Sequence, residues 1–250
     1  MSLRIAAWSG PRNISTAMMR AFENRPDATA SDEPLYAAYL AATGLDHPGR
    51  DAILGSQPTD PAQVTSALSG PIPGGATVWY QKHMTHHLLD TIERGWMASL
   101  RHVFLIRSPR RVVASYALRR GRPTLLDLGF VQQSAIYQYV RDQLGQHPPV
   151  LDADDVLRDP AGMLSALCAH LGIPFSTTML QWPAGPRPTD GVWAPHWYDR
   201  VLASTGFAPY RPRMPDVRPD LEPLVEAATP LYDALYTARL RPAGPPPPQA

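Results

Sequence analysis

The chain has 250 residues, of which 44% are hydrophobic, and a formal net charge of +1. A chain of this length can bury about 70 to 75% of its unfolded surface as one domain, which we place at residues 1–241. The small net charge disfavours a nucleic-acid partner, and the single cysteine excludes an intrachain disulfide. No apolar run approaches the ~18 residues of a membrane span and no signal sequence is recognisable, so we expect a cytoplasmic protein with no membrane partner.

The beginning of the chain predicts a strand, a sharp turn and a helix. Leu3–Trp8 is a mostly apolar run, and apolar residues at helical spacing follow the Gly-Pro turn. Free N–H groups and the helix dipole make such a junction an anion site. The residues we expect to form it are Gly10, Pro11, Arg12, Asn13, Ile14, Ser15 and Thr16. The Gly-Lys pair of an ATP-binding P-loop is absent before Ser15, and the alternative is an ordinary connection capped by Asn13 or Ser15.

A second strand is predicted at Ala28–Ser31, and two consecutive acidic residues, Asp32 and Glu33, follow it. The Glu33 carboxylate has two interpretations. It is either a functional group at a strand end or an ordinary carboxylate near the start of a helix, next to Pro34.

Three segments lack a regular pattern. Residues 44–75 are rich in Gly, Pro, Ser and Asp, with one helix predicted at Pro61–Leu68, and form a candidate lid or acceptor-site wall. Residues 182–215 combine aromatic side chains with many prolines, which either line a binding site or pack the segment onto the core. The proline-rich tail, 242–250, is expected to be disordered or polyproline II.

The third predicted strand, Val78–Gln81, runs into Lys82 and His83. The chain contains 22 arginines and only this one lysine. Because a lysine is a compact point charge and an arginine a planar fork, Lys82 indicates a position that needs an ammonium group, the alternative being a chance surface lysine. His83 together with His86 and His87 also suggests zinc, but carboxylate and cysteine support is thin, so we expect no metal.

A second strand-to-helix junction follows the fourth predicted strand, Val103–Ile106. Arg107 ends the strand, Ser108 is placed to cap the helix, and a proline occupies the first helical position. Ser115 lies seven residues after the cap, nearly two helical turns, and so returns to the same face. We expect Arg107 and Ser115 to bind one phosphate together.

Further helices and a fifth strand complete the predicted pattern. Strands alternating with helices favour an α/β fold with a mostly parallel sheet flanked by helices. Ligands of such sheets bind at the carboxyl ends of the strands, so the polar residues above are expected on one rim. The additional elements are a strand at Val150–Leu151 and helices at Leu125–Gln143, Pro160–Leu171 and near Asp220–Arg239.

Two anion sites at two strand–helix junctions resemble the signature of sulfotransferases that use 3′-phosphoadenosine 5′-phosphosulfate (PAPS). The run Arg107-Ser108-Pro109, then Ser115-Tyr116, is similar to that family's 3′-phosphate segment, and residues 150–175 resemble a further family stretch. The resemblance implies a three-layer sandwich of P-loop NTPase-like architecture, with PAPS as donor, adenosine 3′,5′-bisphosphate (PAP) as product and no required metal. The first loop departs from the family, with Gly-Pro-Arg-Asn in place of Lys-Ser-Gly or Arg-Ser-Gly.

The resemblance also implies catalytic roles. It places Lys82 at the transferring sulfuryl group, and Arg12 is expected to offset charge on the leaving oxygen. Glu33 resembles the base of glycan and tyrosyl-protein sulfotransferases and is the preferred base. His83 resembles the base of small-molecule sulfotransferases, but there the histidine lies two residues after the lysine, and a one-residue shift in a strand reverses the side chain.

The expected function is therefore sulfuryl transfer from PAPS to a hydroxyl or amine of a small molecule or glycan. Two alternatives stay open on the sequence alone: an ATP-dependent P-loop-like kinase, and a nucleotide-binding protein without turnover. The sequence leaves the oligomeric state open, a homodimer included.

Overall fold

The computed structural model describes residues 2–242, apart from the side chains of residues 119 and 120. The predicted disordered tail, from residue 243 onward, lies outside this range. Five strands of the described chain form one parallel sheet in the order β2-β3-β1-β4-β5. The strands are β1 (Leu3–Ser9), β2 (Ala28–Asp32), β3 (Val78–Met84), β4 (Arg101–Ile106) and β5 (Val150–Asp152). The predicted α/β architecture with a parallel central sheet is confirmed.

The predicted helices are all present, but some of their bounds differ and the chain forms further helices. The predicted helix at Leu125–Gln143 begins only at Phe130, because Gly129 precedes it in a left-handed conformation (φ 72°). The segment 44–75 holds two α-helices rather than one. The helices are α1 (Ser15–Glu23), α2 (Tyr36–Thr43), α3 (Arg50–Ser56), α4 (Pro61–Ser69), α5 (Pro109–Arg120), α6 (Phe130–Asp142), α7 (Ala153–Arg158), α8 (Pro160–Leu171), α9 (Ala194–Trp197), α10 (Asp199–Leu202) and α11 (Glu222–Thr237).

Both faces of the sheet are covered by helices, which explains why the central strands are apolar without simple alternation. Ile5 and Tyr80 point to the face covered by α1 and α8, whereas Trp8 and Phe104 point to the face covered by α4, α6 and α11. Alternation along β3 therefore sends the consecutive residues Lys82 and His83 to opposite faces. No helix of the described chain is long and apolar enough to cross a membrane.

The irregular segment 182–215 packs against the edge of the sheet where β2 and β3 end. Trp193 and Tyr198, 1% and 5% exposed, are buried with Tyr36 and Leu40 of α2. The aromatic rings at these two positions thus pack the segment onto α2, and they bring it onto the carboxyl edge of the sheet.

Candidate active site

The strand order places the carboxyl ends of β2, β3, β1 and β4 side by side on one rim. Two groups of polar side chains form there. We call Arg12, Arg107 and Ser115 the phosphate cluster. We call Asp32, Glu33, Lys82 and Tyr198 the acid cluster. The structure thus brings the sequence-predicted residues together in two sets, with His83 in neither.

The loop between β1 and α1 presents the start of a helix without a side-chain cap. Helix α1 begins at Ser15, and no described side chain accepts a hydrogen bond from the N–H groups of its first turn. Asn13, one of the two predicted caps, accepts from the Ile14 N–H just before the helix at 3.0 Å and donates to the carbonyl of Leu105 at 2.9 Å. Arg12 adopts a left-handed conformation (φ 58°), unusual for a residue with a side chain. Uncapped N–H groups at a helix start are suited to an anion.

Gly10 is required by a close approach of two loops. A Cβ at this position would lie 2.5 Å from the carbonyl oxygen of Leu128, in the turn that precedes α6. A Cβ on Gly129 of the same turn would lie 2.6 Å from Thr85 Oγ1. Both distances are too short for real side chains, so the two glycines let the turn fix the position of the β1–α1 loop.

The three residues of the phosphate cluster converge on Arg12. Arg12 Nε donates to Ser115 Oγ at 3.0 Å, and Arg107 Nη1 donates to the Arg12 carbonyl at 2.7 Å. The buried Nε of Arg107 has no hydrogen-bond partner among the described residues, and no described carboxylate forms an ion pair with this guanidinium. Burial lowers the pKa of Arg107, yet a guanidinium stays charged at any physiological pH. A charged fork with an unused N–H suits a phosphate.

The acid cluster has the opposite character, because its cation is completely satisfied. Lys82 Nζ donates to Asp32 Oδ1 at 2.7 Å, to Glu33 Oε1 at 2.6 Å and to the Tyr198 hydroxyl at 2.7 Å. These three bonds use all three ammonium protons. Lys82 is 1% exposed, so the structure excludes the interpretation of this lysine as a chance surface residue.

Glu33 is held in an unusual backbone conformation, with φ at 41°. Its carbonyl accepts hydrogen bonds from the Tyr36 N–H at 3.0 Å and from Gln57 Nε2 at 3.3 Å. Helix α2 begins only at Tyr36 and has no acidic residue in its first turn. Glu33 thus lies in the turn that leads into α2, and a left-handed glutamate fixed by its neighbours is typical of functional sites.

Charge and burial make Glu33 the carboxyl group that can take up a proton. Burial raises the pKa of Glu33 and the charge of Asp32 adds to this, although Lys82 opposes it. Burial disfavours the charged form of Lys82, but the carboxylates of Asp32 and Glu33 outweigh burial and raise the pKa of Lys82 well above its usual value. The lysine stays an ammonium. Glu33 Oε2 lies 3.9 Å from His87 Nδ1.

His83 lies on the other face of the sheet from Lys82, as the one-residue spacing predicts. Its ring stacks on Trp8 with centroids 4.4 Å apart, and Nε2 lies 3.4 Å from Gln81 Oε1. Burial lowers the pKa of His83 to about 3, and the neighbouring His102 adds to the effect. The histidine beside Glu33 is instead His87, which stacks on Tyr36 and Tyr39.

The sequence did not indicate that Tyr198, His87 and Gln57 surround Lys82 and Glu33, and it offered His87 only as a zinc ligand. Tyr198 is far from Lys82 in sequence and sits in an irregular segment, so no local pattern identifies it. Asp32 was noticed only as the neighbour of Glu33. In the sheet, Asp32 is paired in register with Lys82. Consecutive carboxylates at one strand end and a lone lysine at the next were the available signal.

Comparisons with known proteins agree with the fold. A sulfotransferase of Alicyclobacillus acidocaldarius has a similar fold, with 14% identity, a TM-score of 0.56 and coverage of 96% of this chain and 98% of that one. A mouse sulfotransferase solved with PAP matches at 15% identity and a TM-score of 0.50, over 97% of this chain and 86% of that one.

A longer protein is similar in sequence. Branched-chain-amino-acid aminotransferase-like protein 1 of Arabidopsis thaliana is 39% identical over 237 residues, which are 92% of this chain and 41% of that protein. The chain thus spans about two fifths of this relative's length. The family model described as Sulfotransferase domain matches residues 3–239. The chain therefore belongs to the sulfotransferase domain family.

Proposed function

We propose that the protein transfers a sulfuryl group from PAPS to a hydroxyl or amine of a small molecule or glycan. The observation that carries this proposal is the Arg107 guanidinium, which is partly buried, lacks a carboxylate partner among the described residues and keeps an unused N–H. A buried cation left in this state lowers stability unless a ligand supplies the missing anion. A mouse relative in fold was solved with PAP, the product that PAPS leaves behind.

The phosphate cluster fits the two anionic ends of such a nucleotide. Arg107 and Ser115 would hold the 3′-phosphate, since a guanidinium and a hydroxyl both donate to phosphate oxygens. Arg12 and the uncapped N–H groups at the start of α1 would hold the 5′-phosphosulfate and offset the charge on its leaving oxygen. Arg12 lies between the two, because Arg107 bonds to its carbonyl and Ser115 to its side chain.

Glu33 is the residue we assign as general base. Its carboxylate is almost buried and is fixed by Lys82, and its raised pKa suits a group that removes a proton from an acceptor near neutral pH. The assignment gives Lys82 the task of holding Glu33. Any contact of Lys82 with the sulfuryl group would require the loss of one of its three hydrogen bonds.

Calorimetric titration with PAP tests the donor site directly. AMP lacks the 3′-phosphate, adenosine 2′,5′-bisphosphate carries the second phosphate at the wrong position, and ATP-Mg represents a kinase. We expect PAP to bind at least about tenfold more tightly than each of the other three, because charge-assisted bonds to one phosphate contribute about 1.5 to 3 kcal/mol.

Equal affinities for PAP and AMP would contradict the proposed 3′-phosphate site, and a preference for ATP-Mg would favour a kinase. If PAP is preferred, transfer from ³⁵S-labelled PAPS to a panel of phenols, alcohols, sugars and amines identifies the acceptor class. PAP binding without transfer to any acceptor or to water would support a nucleotide-binding protein that lacks turnover.

A further inference from the structure

The acid cluster holds two carboxylates against a single ammonium group. Lys82 lies within 2.7 Å of Asp32 and 2.6 Å of Glu33. The other titratable groups around Glu33 are the Tyr198 phenol and the His87 imidazole. Burial raises the pKa of Tyr198 well above its usual value and lowers the pKa of His87 well below its usual value, so both are neutral. The cluster therefore carries one unbalanced negative charge, and one carboxylate is favoured to take up a proton.

The hydrogen bonds of the two carboxylates are unequal. Asp32 accepts from Lys82 at 2.7 Å, from the Tyr198 hydroxyl at 2.6 Å and from the Gly191 N–H at 3.1 Å. Glu33 accepts one side-chain hydrogen bond within the described residues, from Lys82. Donors thus occupy both carboxylate oxygens of Asp32, whereas Glu33 Oε2 receives no hydrogen bond from the described residues and is left as the proton acceptor.

Contacts outside the acid cluster also hold Tyr198 in this position. Trp193 Nε1 donates to the Tyr198 hydroxyl at 3.2 Å, so that hydroxyl accepts from Trp193 and Lys82 while it donates to Asp32. The segment that carries Tyr198 is also tied to helix α1, because the buried Arg20 pairs with Asp190 at 2.7 Å. The position of the Tyr198 phenol is thus set by contacts with Trp193 and by the attachment of its segment to α1.

We propose that Tyr198 and Asp32 are positioning residues that direct the acceptor proton to Glu33. The inference rests on the proposed function and deepens it. In the transfer step, the acceptor oxygen forms a bond to sulfur, the bond from sulfur to the bridging phosphate oxygen breaks, and PAP leaves with those electrons. The acceptor O–H proton passes to Glu33, while the oxygens of Asp32 stay occupied by the Tyr198 hydroxyl and Lys82.

Carbon-13 NMR of protein labelled at the glutamate carboxyl carbons tests this without any nucleotide, with the Glu33 signal assigned by its absence from Glu33→Gln. In Asp32→Asn we expect the titration midpoint of Glu33 to move to lower pH by about one unit, because a neighbouring negative charge is removed. In Tyr198→Phe we expect a smaller amplitude at Glu33, since the proton is then shared with Asp32. Tyr232→Phe is the matched control, because its hydroxyl donates to Asp152 at 2.8 Å on a different strand.

An unchanged Glu33 midpoint in Asp32→Asn, or an unchanged amplitude in folded Tyr198→Phe, would overturn the inference. The two variants are independent, so a folding failure of one leaves the other decisive. The acid limb of the pH–rate profile of PAPS turnover should move in Asp32→Asn in the same direction as the NMR midpoint. PAP calorimetry is a separate readout. Absence of PAP binding would contradict the proposed function, whereas the NMR titrations test the proton acceptor independently of it.

Discussion

The phosphate cluster and the acid cluster occupy neighbouring strand ends, yet their cations have opposite surroundings. Arg107 has no carboxylate partner among the described residues and keeps a buried Nε without an acceptor. Lys82 donates to two carboxylates and a phenol within 2.7 Å, so all three of its ammonium protons are used. The first cation has an N–H left for an anion, and the second has used all its protons before any ligand arrives.

The difference separates two tasks of one site. A buried polar group without a partner marks the place where a ligand supplies the missing bond. A buried ammonium whose three protons are all bonded is held in place, and it holds the reacting carboxylate that it contacts in one geometry. We therefore expect substitutions in the phosphate cluster to change nucleotide affinity, and substitutions in the acid cluster to change turnover or stability.

The largest expected effect is on turnover in Glu33→Gln. Loss of a general base lowers the rate by about 10² to 10⁴-fold, whereas the affinity for PAP should stay within about twofold because Glu33 is not in the phosphate cluster. Transfer of ³⁵S from PAPS and calorimetry measure the two quantities. Exposed Glu93→Gln is the charge-matched control. Retained turnover in Glu33→Gln would move the base to another residue, with His83 the alternative from the sequence.

The next largest expected effect is on the free energy of unfolding, which should differ between Lys82 and Arg107 variants. Lys82→Met leaves Asp32 and Glu33 buried without a counter-ion and should lower the free energy of unfolding by about 3 to 5 kcal/mol. Arg107→Met removes a charge that has no carboxylate partner and one bond to the Arg12 carbonyl, so the change should stay within about 1 kcal/mol. Urea denaturation at pH 7 measures both. Equal losses would show that the two clusters do not differ as described.

Nucleotide affinity gives the converse comparison. Arg107→Ala should weaken PAP binding by about 10 to 100-fold, corresponding to about 1.5 to 3 kcal/mol for bonds to a charged group, with little change for AMP. Arg110→Ala is the matched control, because Arg110 lies three residues after Arg107, in the first turn of α5, and is already paired with Glu222 at 2.7 Å. A similar loss of PAP affinity in both variants would indicate a general charge effect and contradict a specific 3′-phosphate site.

The sequence predicted the sheet and the rim because apolar strand patterns and strand-end polar residues are local signals. Ser115 returns to the face of the Ser108 cap by simple spacing, and the structure brings Ser115 and Arg107 together at Arg12. Local patterns could not predict that Tyr198 contacts Lys82, since Tyr198 lies in an irregular segment that is positioned by packing on α2. The start of α6 was also misplaced, because a left-handed Gly129 depends on its contact with the β1–α1 loop.

A smaller effect, on acid stability, sets the pH range in which the acid cluster can be studied. Burial lowers the pKa of His83 to about 3 and that of His102 to about 4, from an ordinary 6.5. The unfolded chain then binds protons that the folded chain does not, so stability is constant above the unfolded pKa and falls as the pH drops below it. Each imidazole contributes a loss of about 1.4 kcal/mol per pH unit, or about 2 kcal/mol between pH 6.5 and 5.

His83→Phe tests this contribution, since phenylalanine keeps an aromatic ring against Trp8 and removes the titrating group. We expect the difference in unfolding free energy between pH 7 and pH 5 to shrink by about 2 kcal/mol in this variant. The exposed His147→Phe should retain the full difference. If His83→Phe were as acid-sensitive as the original protein, His83 would be solvated in the folded state. It would then be available as a base on a face of β3 where the acid cluster does not lie.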